Sequence, residues 1–244
     1  MIFFINNLLK MKKRILLMIV TLLILAGAGY GGYYFWSNSN KPEQVKSSIN
    51  PMDLLVFEVK DDELSDFQKD RAFKMFNDAK NGINENIGKG DLLESDLNYY
   101  FWLDVASAQK IIGDYNNAAN VWKWFNDAYP ANSISPANLG DLYKSFVIDN
   151  EQAEYYYKMA IQRDTSDWYT YYSFYEFYRY NLNDSEKAID ILKDGAKNNP
   201  DHINYVNELT SYLISLDRKD EAREIIDEYV SRHPESSSLK NKVQ

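Results

Sequence analysis

The sequence predicts an all-α fold: an α-solenoid of antiparallel helix pairs, about four repeats plus an N-terminal helix, behind one transmembrane helix. Three observations predict it. A small residue recurs at Ala118, Ala153, Ala188 and Ala222, in steps of 35, 35 and 34. Twelve residues after each comes Pro130, Thr165, Pro200 or Pro234, and a proline there ends a helix because it cannot continue one. Finally, Ile15–Trp36 runs for 22 residues without a charge.

At the N-terminus, residues 1–14 carry Lys10, Lys12, Lys13 and Arg14 and no acid. As a helix, residues 15–36 would rise about 33 Å, enough to cross a bilayer. The basic cluster before the span places the N-terminus in the cytoplasm. The expected localisation is therefore the cell membrane, single-pass, with the folded body extracytoplasmic. Tyr30, Tyr33, Tyr34, Phe35 and Trp36 read as an interfacial aromatic belt. A cleaved signal peptide is the competing reading, with Ala26-Gly27-Ala28 as the small-residue cleavage site. The apolar run that continues to Trp36 favours a retained anchor. Met11 is an alternative start.

Residues 37–62 read as a linker followed by an extended segment, with Pro42 and Pro51 and an apolar run at Met52–Val59. Residues 63–90 read as a capping helix or degenerate repeat, through Leu64, Phe67, Ala72, Phe73, Phe76 and Ala79. Asn81-Gly82 and Gly88–Gly90 are expected to break the chain before the next helix.

Four helix pairs follow, at 97–131, 132–166, 167–201 and 202–235, with a polar tail at 236–244. Each first helix carries apolar residues at matching places: Trp102 and Val105, then Leu139 and Tyr143, then Tyr171, Phe174 and Tyr178, then Val206, Leu209 and Leu213. Each second helix carries a large residue at one place, Trp122, Tyr157, Leu192 and Ile226. Tyr143 to Ala153 and Tyr178 to Ala188 each span ten residues, one more than the outer pairs need. Their turns, 148–150 and 182–184, lack the glycine that the first pair has at Gly113.

This phasing of Trp102, Ala106, Gly113, Ala118, Trp122 and Pro130 resembles the tetratricopeptide (TPR) repeat. The resemblance covers about 63–234. It implies stacked pairs with a continuous core, first helices on the concave face, and a non-enzymatic scaffold for a protein or peptide partner; the anchor and the phased repeats together place that scaffold outside the cytoplasm, in envelope assembly or export. It implies a partner groove lined by Tyr100, Leu103 and Lys110, then Asp141 and Lys144, then Tyr169, Tyr172, Glu176 and Arg179, then Asn204 and Asn207. Lys110, Lys144 and Arg179 would form a basic ladder. Such a ladder could receive an acidic peptide or a terminal carboxylate. It could equally be neutralised locally, because Asp141–Lys144 and Glu176–Arg179 are i, i+3 neighbours. Trp168–Tyr180 holds nine aromatics, more than one helix stripe can bury. Tyr169 and Tyr172 are therefore expected to face the groove. An envelope carbohydrate-binding module and a self-assembling structural protein stand as alternatives.

Composition excludes several function classes. Cysteine is absent, so no disulfide, thiol nucleophile or Cys-held metal is available. The two histidines, His202 and His233, lie apart in loop-like settings and read as surface residues. Four of the 27 basic residues stand in 1–36, leaving 23 against 36 acids, net −13, in the remainder. Nucleic-acid binding needs the opposite sign. Ile87-Gly88-Lys89-Gly90 does not have the order of a phosphate loop. No nucleophile–base pair or metal set is present, so neither an enzyme nor a cofactor is expected. The sequence leaves the oligomeric state open.

Overall fold

Among the described residues, nine α-helices follow one another along the chain, with no strand. The computed structural model describes residues 50–87 and 96–243. The chain divides into two units. Met1–Ser48 lies outside the described residues, and all that follows concerns Ile49–Gln244.

The helices are α1 (Asp66–Ile87), α2 (Asp96–Ile111), α3 (Tyr115–Ala128), α4 (Ile134–Leu142), α5 (Asn150–Arg163), α6 (Trp168–Glu176), α7 (Ser185–Asn198), α8 (Ile203–Ser215) and α9 (Lys219–Arg232). A 3₁₀ turn at Pro51–Leu54 precedes them and a 3₁₀ segment, Pro234–Val243, follows. Each helix packs mainly on the next one in sequence, the nearest-neighbour pattern that stacked repeats produce. α2/α3, α4/α5, α6/α7 and α8/α9 form the pairs.

The recurring alanines explain how closely the pairs pack. Ala118, Ala153, Ala188 and Ala222 have no exposed surface, and Trp122, Tyr157, Leu192 and Ile226, one turn on, have none either. A small side chain lets the helix backbones approach, and the large neighbour fills the space beside the crossing. In the second pair the approach is closer still. A Cβ on Gly140 would come within 2.7 Å of the Tyr157 ring.

Second helices start in a common way. Asp114, Asp149 and Asp184 accept hydrogen bonds from the backbone N–H of Asn117, Gln152 and Lys187 at 3.4, 3.1 and 3.1 Å, which satisfies donors that the first helical turn leaves orphaned. Arg218 stands at this place before α9 and cannot accept. Its guanidinium instead grips Glu221 at 2.5 and 2.8 Å and Glu186 of the preceding pair at 2.6 Å.

The turns inside the pairs fall into two kinds. α2 and α8 end in a left-handed residue, Gly113 (φ 79) and Asp217 (φ 61). The next N–H reaches back to the first helix, Asp114 to Gln109 at 2.9 Å and Arg218 to Leu213 at 2.9 Å, the closing bond of a Schellman turn. α4 and α6 instead widen into π-turns at Tyr143–Val147 and Phe177–Asn181. Their closing bonds span one residue more, Asp149 to Tyr143 at 3.0 Å and Asp184 to Tyr178 at 2.8 Å. The extra residue in these two pairs is absorbed as a π-bulge, and the left-handed places fall to Ile148 (φ 60) and Asn183 (φ 53).

At the N-terminal end, α1 opens with a capping box. Ser65 Oγ accepts from the Gln68 N–H at 3.3 Å, and Gln68 Oε1 accepts from the Ser65 N–H at 3.1 Å. Asn81-Gly82 does not break the chain: both residues lie inside α1. Gly82 serves close packing there, since a Cβ would stand 2.2 Å from the Phe101 ring of α2. Buried Gln109 donates to the carbonyls of Leu54 and Val56, both at 2.9 Å. These bonds tie the segment after the first 3₁₀ turn to α2.

The expected localisation is corrected. No described helix is long and apolar enough to cross a membrane. The longest, α1, carries Lys69, Asp70, Arg71, Lys74, Asp78, Lys80 and Glu85, each costly to place in hydrocarbon. A single-pass membrane protein with an extracytoplasmic body is not supported. The 15–36 stretch that suggested the anchor lies outside the described residues.

Candidate functional site

The first helices of the pairs present a run of charged and aromatic side chains that continues from pair to pair. In the second pair, the Tyr157 hydroxyl donates to Asp141 Oδ1 at 2.5 Å. Burial pushes the Tyr157 phenol well above its ordinary pKa, and the Asp141 carboxylate pushes it further. It therefore stays a donor across the physiological range. Lys144 Nζ lies 3.7 Å from Asp141 and 3.7 Å from Glu176 of the third pair. Its side chain is only 14% exposed.

The next rung repeats this with other residues. The Tyr175 hydroxyl donates to Glu208 at 3.0 Å and accepts from Arg179. Arg179 stands 3.8 Å from Glu208 of the fourth pair, with its guanidinium over the rings of Tyr212 at 4.5 Å and Tyr180 at 4.7 Å. The last rung comes from outside the pairs. Lys242, in the C-terminal 3₁₀ segment, donates to Asn207 Oδ1 at 2.9 Å and to Ser211 Oγ at 3.3 Å. Burial lowers the Lys242 pKa, an effect that Glu208 opposes. Leu239 and Val243, buried in the same segment, cover the end of the last pair.

The expected groove residues divide into three groups. Asp141, Lys144, Glu176 and Arg179 belong to the ion-pair network, and Asn207 is held by Lys242. Tyr100 and Tyr169 stand out at 60% and 79% exposure, and Asn204 is exposed as well. Leu103 and Tyr172 are half-buried against the core. Tyr172 packs between Trp168 at 5.4 Å and Tyr175 at 5.7 Å. Burial raises its pKa, with the carboxylates of Glu176 and Glu208 adding to the effect.

Lys110 is set apart from the others. Its ammonium lies 5.8 Å from the Trp122 ring centre and 5.9 Å from that of Phe146. Among the described residues it has no carboxylate partner.

Of the two i, i+3 pairings the spacing allows, Asp141–Lys144 forms. Glu176 turns instead to Lys144, and Arg179 to Glu208. Sequence reasoning did not find Glu208 or Lys242, because both act across a repeat boundary. The spacing of about 32–35 residues between Glu176 and Glu208, and between Asn207 and Lys242, is the signal that could have found them. His202 stacks on Trp168 at 5.9 Å, and His233 lies between Asp201 at 3.1 Å and Glu235 at 3.3 Å. Among the described residues, no group of three or more His, Asp or Glu is placed to hold a metal ion.

No family model matches the chain, and no curated protein matches it. Solved structures similar to it include a crystal structure of MamA protein, 20% identical over 59% of this chain and 85% of that chain, with a TM-score of 0.42. Two more are MamA 41-end from Desulfovibrio magneticus RS-1, 16% identical over 68% and 97% with a TM-score of 0.42, and the MamA RS-1 ArsTM double mutant, 16% identical over 69% and 98% with a TM-score of 0.43.

Proposed function

We propose that this chain is a TPR-type scaffold without chemistry of its own, which holds a polypeptide segment of a partner along the face made by its first helices. The observation that carries this reading is the pair of outward tyrosines on first helices, Tyr100 at 60% and Tyr169 at 79% exposure, which belong to the same expected groove set as the paired ladder of Asp141, Lys144, Glu176 and Arg179. Exposed tyrosines offer large contact area at low entropy cost, together with a hydroxyl for hydrogen bonding. The ladder beneath them supplies fixed, alternating charge that sets the register of a bound chain more than its affinity. Lys144 and Arg179 each already neutralise carboxylates, so the middle of this face favours a segment of mixed polarity over a uniformly acidic one. The expected groove set, Tyr100, Leu103, Lys110, Asp141, Lys144, Tyr169, Tyr172, Glu176, Arg179, Asn204 and Asn207, is retained within this proposal.

A photo-reactive residue at position 169 of the full chain, activated in an extract of the host cell, is expected to trap a discrete polypeptide. The same residue at exposed Lys193 of α7 is the control and should trap none. Adducts at 193 and none at 169 would overturn the proposal.

A further inference from the structure

The turns of the first two pairs carry features that the first-helix face does not use. A cleft of about 320 Å³ opens between the α2–α3 turn and the π-turn after α4. Tyr115, Phe146 and Val147 form its apolar wall, and Lys60 and Asn116 are on its polar side. Tyr115 and Phe146 pack with ring centres 4.9 Å apart.

The chain beside this cleft exposes three consecutive apolar residues, Phe146 at 45%, Val147 at 42% and Ile148 at 65%. Ile148 is also left-handed, with φ 60 and ψ 59. A β-branched residue is strained there. The corresponding places in the other pairs hold Gly113, Asn183 and Asp217, residue types that enter this region readily. Neither burial nor backbone geometry accounts for isoleucine at 148. A contact made by its side chain would.

The charges around the cleft point one way. Lys110 lies against Phe146 with no carboxylate partner among the described residues. Lys60 pairs with Glu58 at 2.6 Å, but both side chains are about half-exposed, and such pairs exchange readily. Two of the acids nearest Lys110 are committed, one of them, Asp114, being part of the cleft lining, while Glu58 and Asp61 stand on the Lys60 side. Asp114 is buried and bound to Asn117 at 2.7 Å, and Asp149 caps α5. A cleft with one apolar wall, and near it an ammonium without a carboxylate partner among the described residues, thus stand out in a body of net charge −13. A second copy of the chain fits poorly, because a two-fold contact through this patch would bring lysines against lysines.

We propose that this edge is a second docking site, which adjoins the first-helix face at Lys110 and extends away from it over the turns. It takes a short segment of a partner protein in which an apolar residue adjoins an acidic one. The apolar side chain enters the cleft against Tyr115, Phe146 and Val147, the neighbouring chain covers Ile148 at its edge, and the carboxylate meets Lys110.

Selection of displayed random peptides on the full chain tests this. Enriched peptides should combine an aliphatic or aromatic residue with a neighbouring Asp or Glu. Ile148→Asn should weaken their binding by about tenfold or more. This substitution suits the left-handed turn, and thermal unfolding at or above that of the unmodified chain would confirm that the fold is intact. Lys110→Gln should weaken the same peptides while leaving apolar peptides without an acid unaffected, and Tyr169→Ala should change none of these affinities. The proposal is overturned if no peptide is enriched, or if enriched peptides carry basic flanks. It is also overturned if binding is indifferent to both Ile148→Asn and Phe146→Ser, or if the patch proves to mediate a dimer that Ile148→Asn dissolves.

Discussion

Lys110 and Lys144 occupy the same place in successive helix pairs, 34 residues apart, yet their surroundings differ. Lys144 is nearly covered and shared between Asp141 and Glu176. Lys110 rests among rings and meets no acid among the described residues. Ser107 accounts for one missing partner, because it stands in the first pair where Asp141 stands in the second, and the acid of the next pair, Asp141, is engaged by Tyr157 and Lys144. The turns differ too. α2 ends at Gly113 in a Schellman turn, whereas α4 and α6 widen into π-turns that carry Lys144 and Arg179. The middle pairs thus hold their cations in ion pairs, and the first pair holds its cation against aromatic rings.

The largest departure between these regions is expected at alkaline pH. The middle pairs bury Tyr157, Tyr171, Tyr175 and Tyr178 where the first pair relies on Trp102 and Trp122. Burial raises each phenol, Tyr171 to about 12 and the others further. A raised phenol favours the neutral form in the fold. The stability it contributes is therefore intact below the unfolded value of about 10 and is lost as pH rises through the folded value. The urea midpoint should stay level up to about pH 10 and then fall steeply.

Gly140→Ala should come next. Its Cβ would press on the Tyr157 ring, displacing the hydroxyl that holds Asp141, at a cost of about 1–3 kcal/mol in urea unfolding. Exchanging the left-handed residues of the two π-turns probes a smaller effect. Ile148→Asn should raise stability by about 1 kcal/mol, and Asn183→Ile should lower it by about as much. The ladder itself should contribute least. Lys144→Met and Arg179→Met should each cost up to about 1 kcal/mol, the range of exposed ion pairs, with Lys110→Met near zero. An equal loss at all three positions would remove the distinction between paired and open rungs.

Much of the helix-pair architecture was legible because its cause is local and periodic. Ala118, Ala153, Ala188 and Ala222 must be small wherever the two helices of a pair cross, so they recur at one spacing. The ten-residue spacing from Tyr143 to Ala153 revealed an inserted residue but not its form. A π-turn and a longer loop need the same number of residues. Asn81-Gly82 misled because a glycine that admits a neighbouring ring has the same sequence signature as one that ends a helix. The site was less legible than the fold. Ion pairs such as Arg179–Glu208 depend on which repeat faces which, and i, i+3 reasoning sees only one helix. The exposed Phe146–Ile148 run was visible as three apolar residues in a turn, but their exposure could be known only from the packing around them.

The distinction between an open first rung and closed later ones can be measured without any partner. Brief acetylation of the native full chain with a water-soluble ester, read residue by residue by mass spectrometry, reports how accessible and how committed each ammonium is. Lys110 is expected to react clearly faster than Lys144, and Glu176→Gln should speed Lys144 while leaving Lys110 unchanged. If Lys144 reacted as fast as Lys110 in the unmodified chain, the first rung would be no more open than the second, and the account would be contradicted.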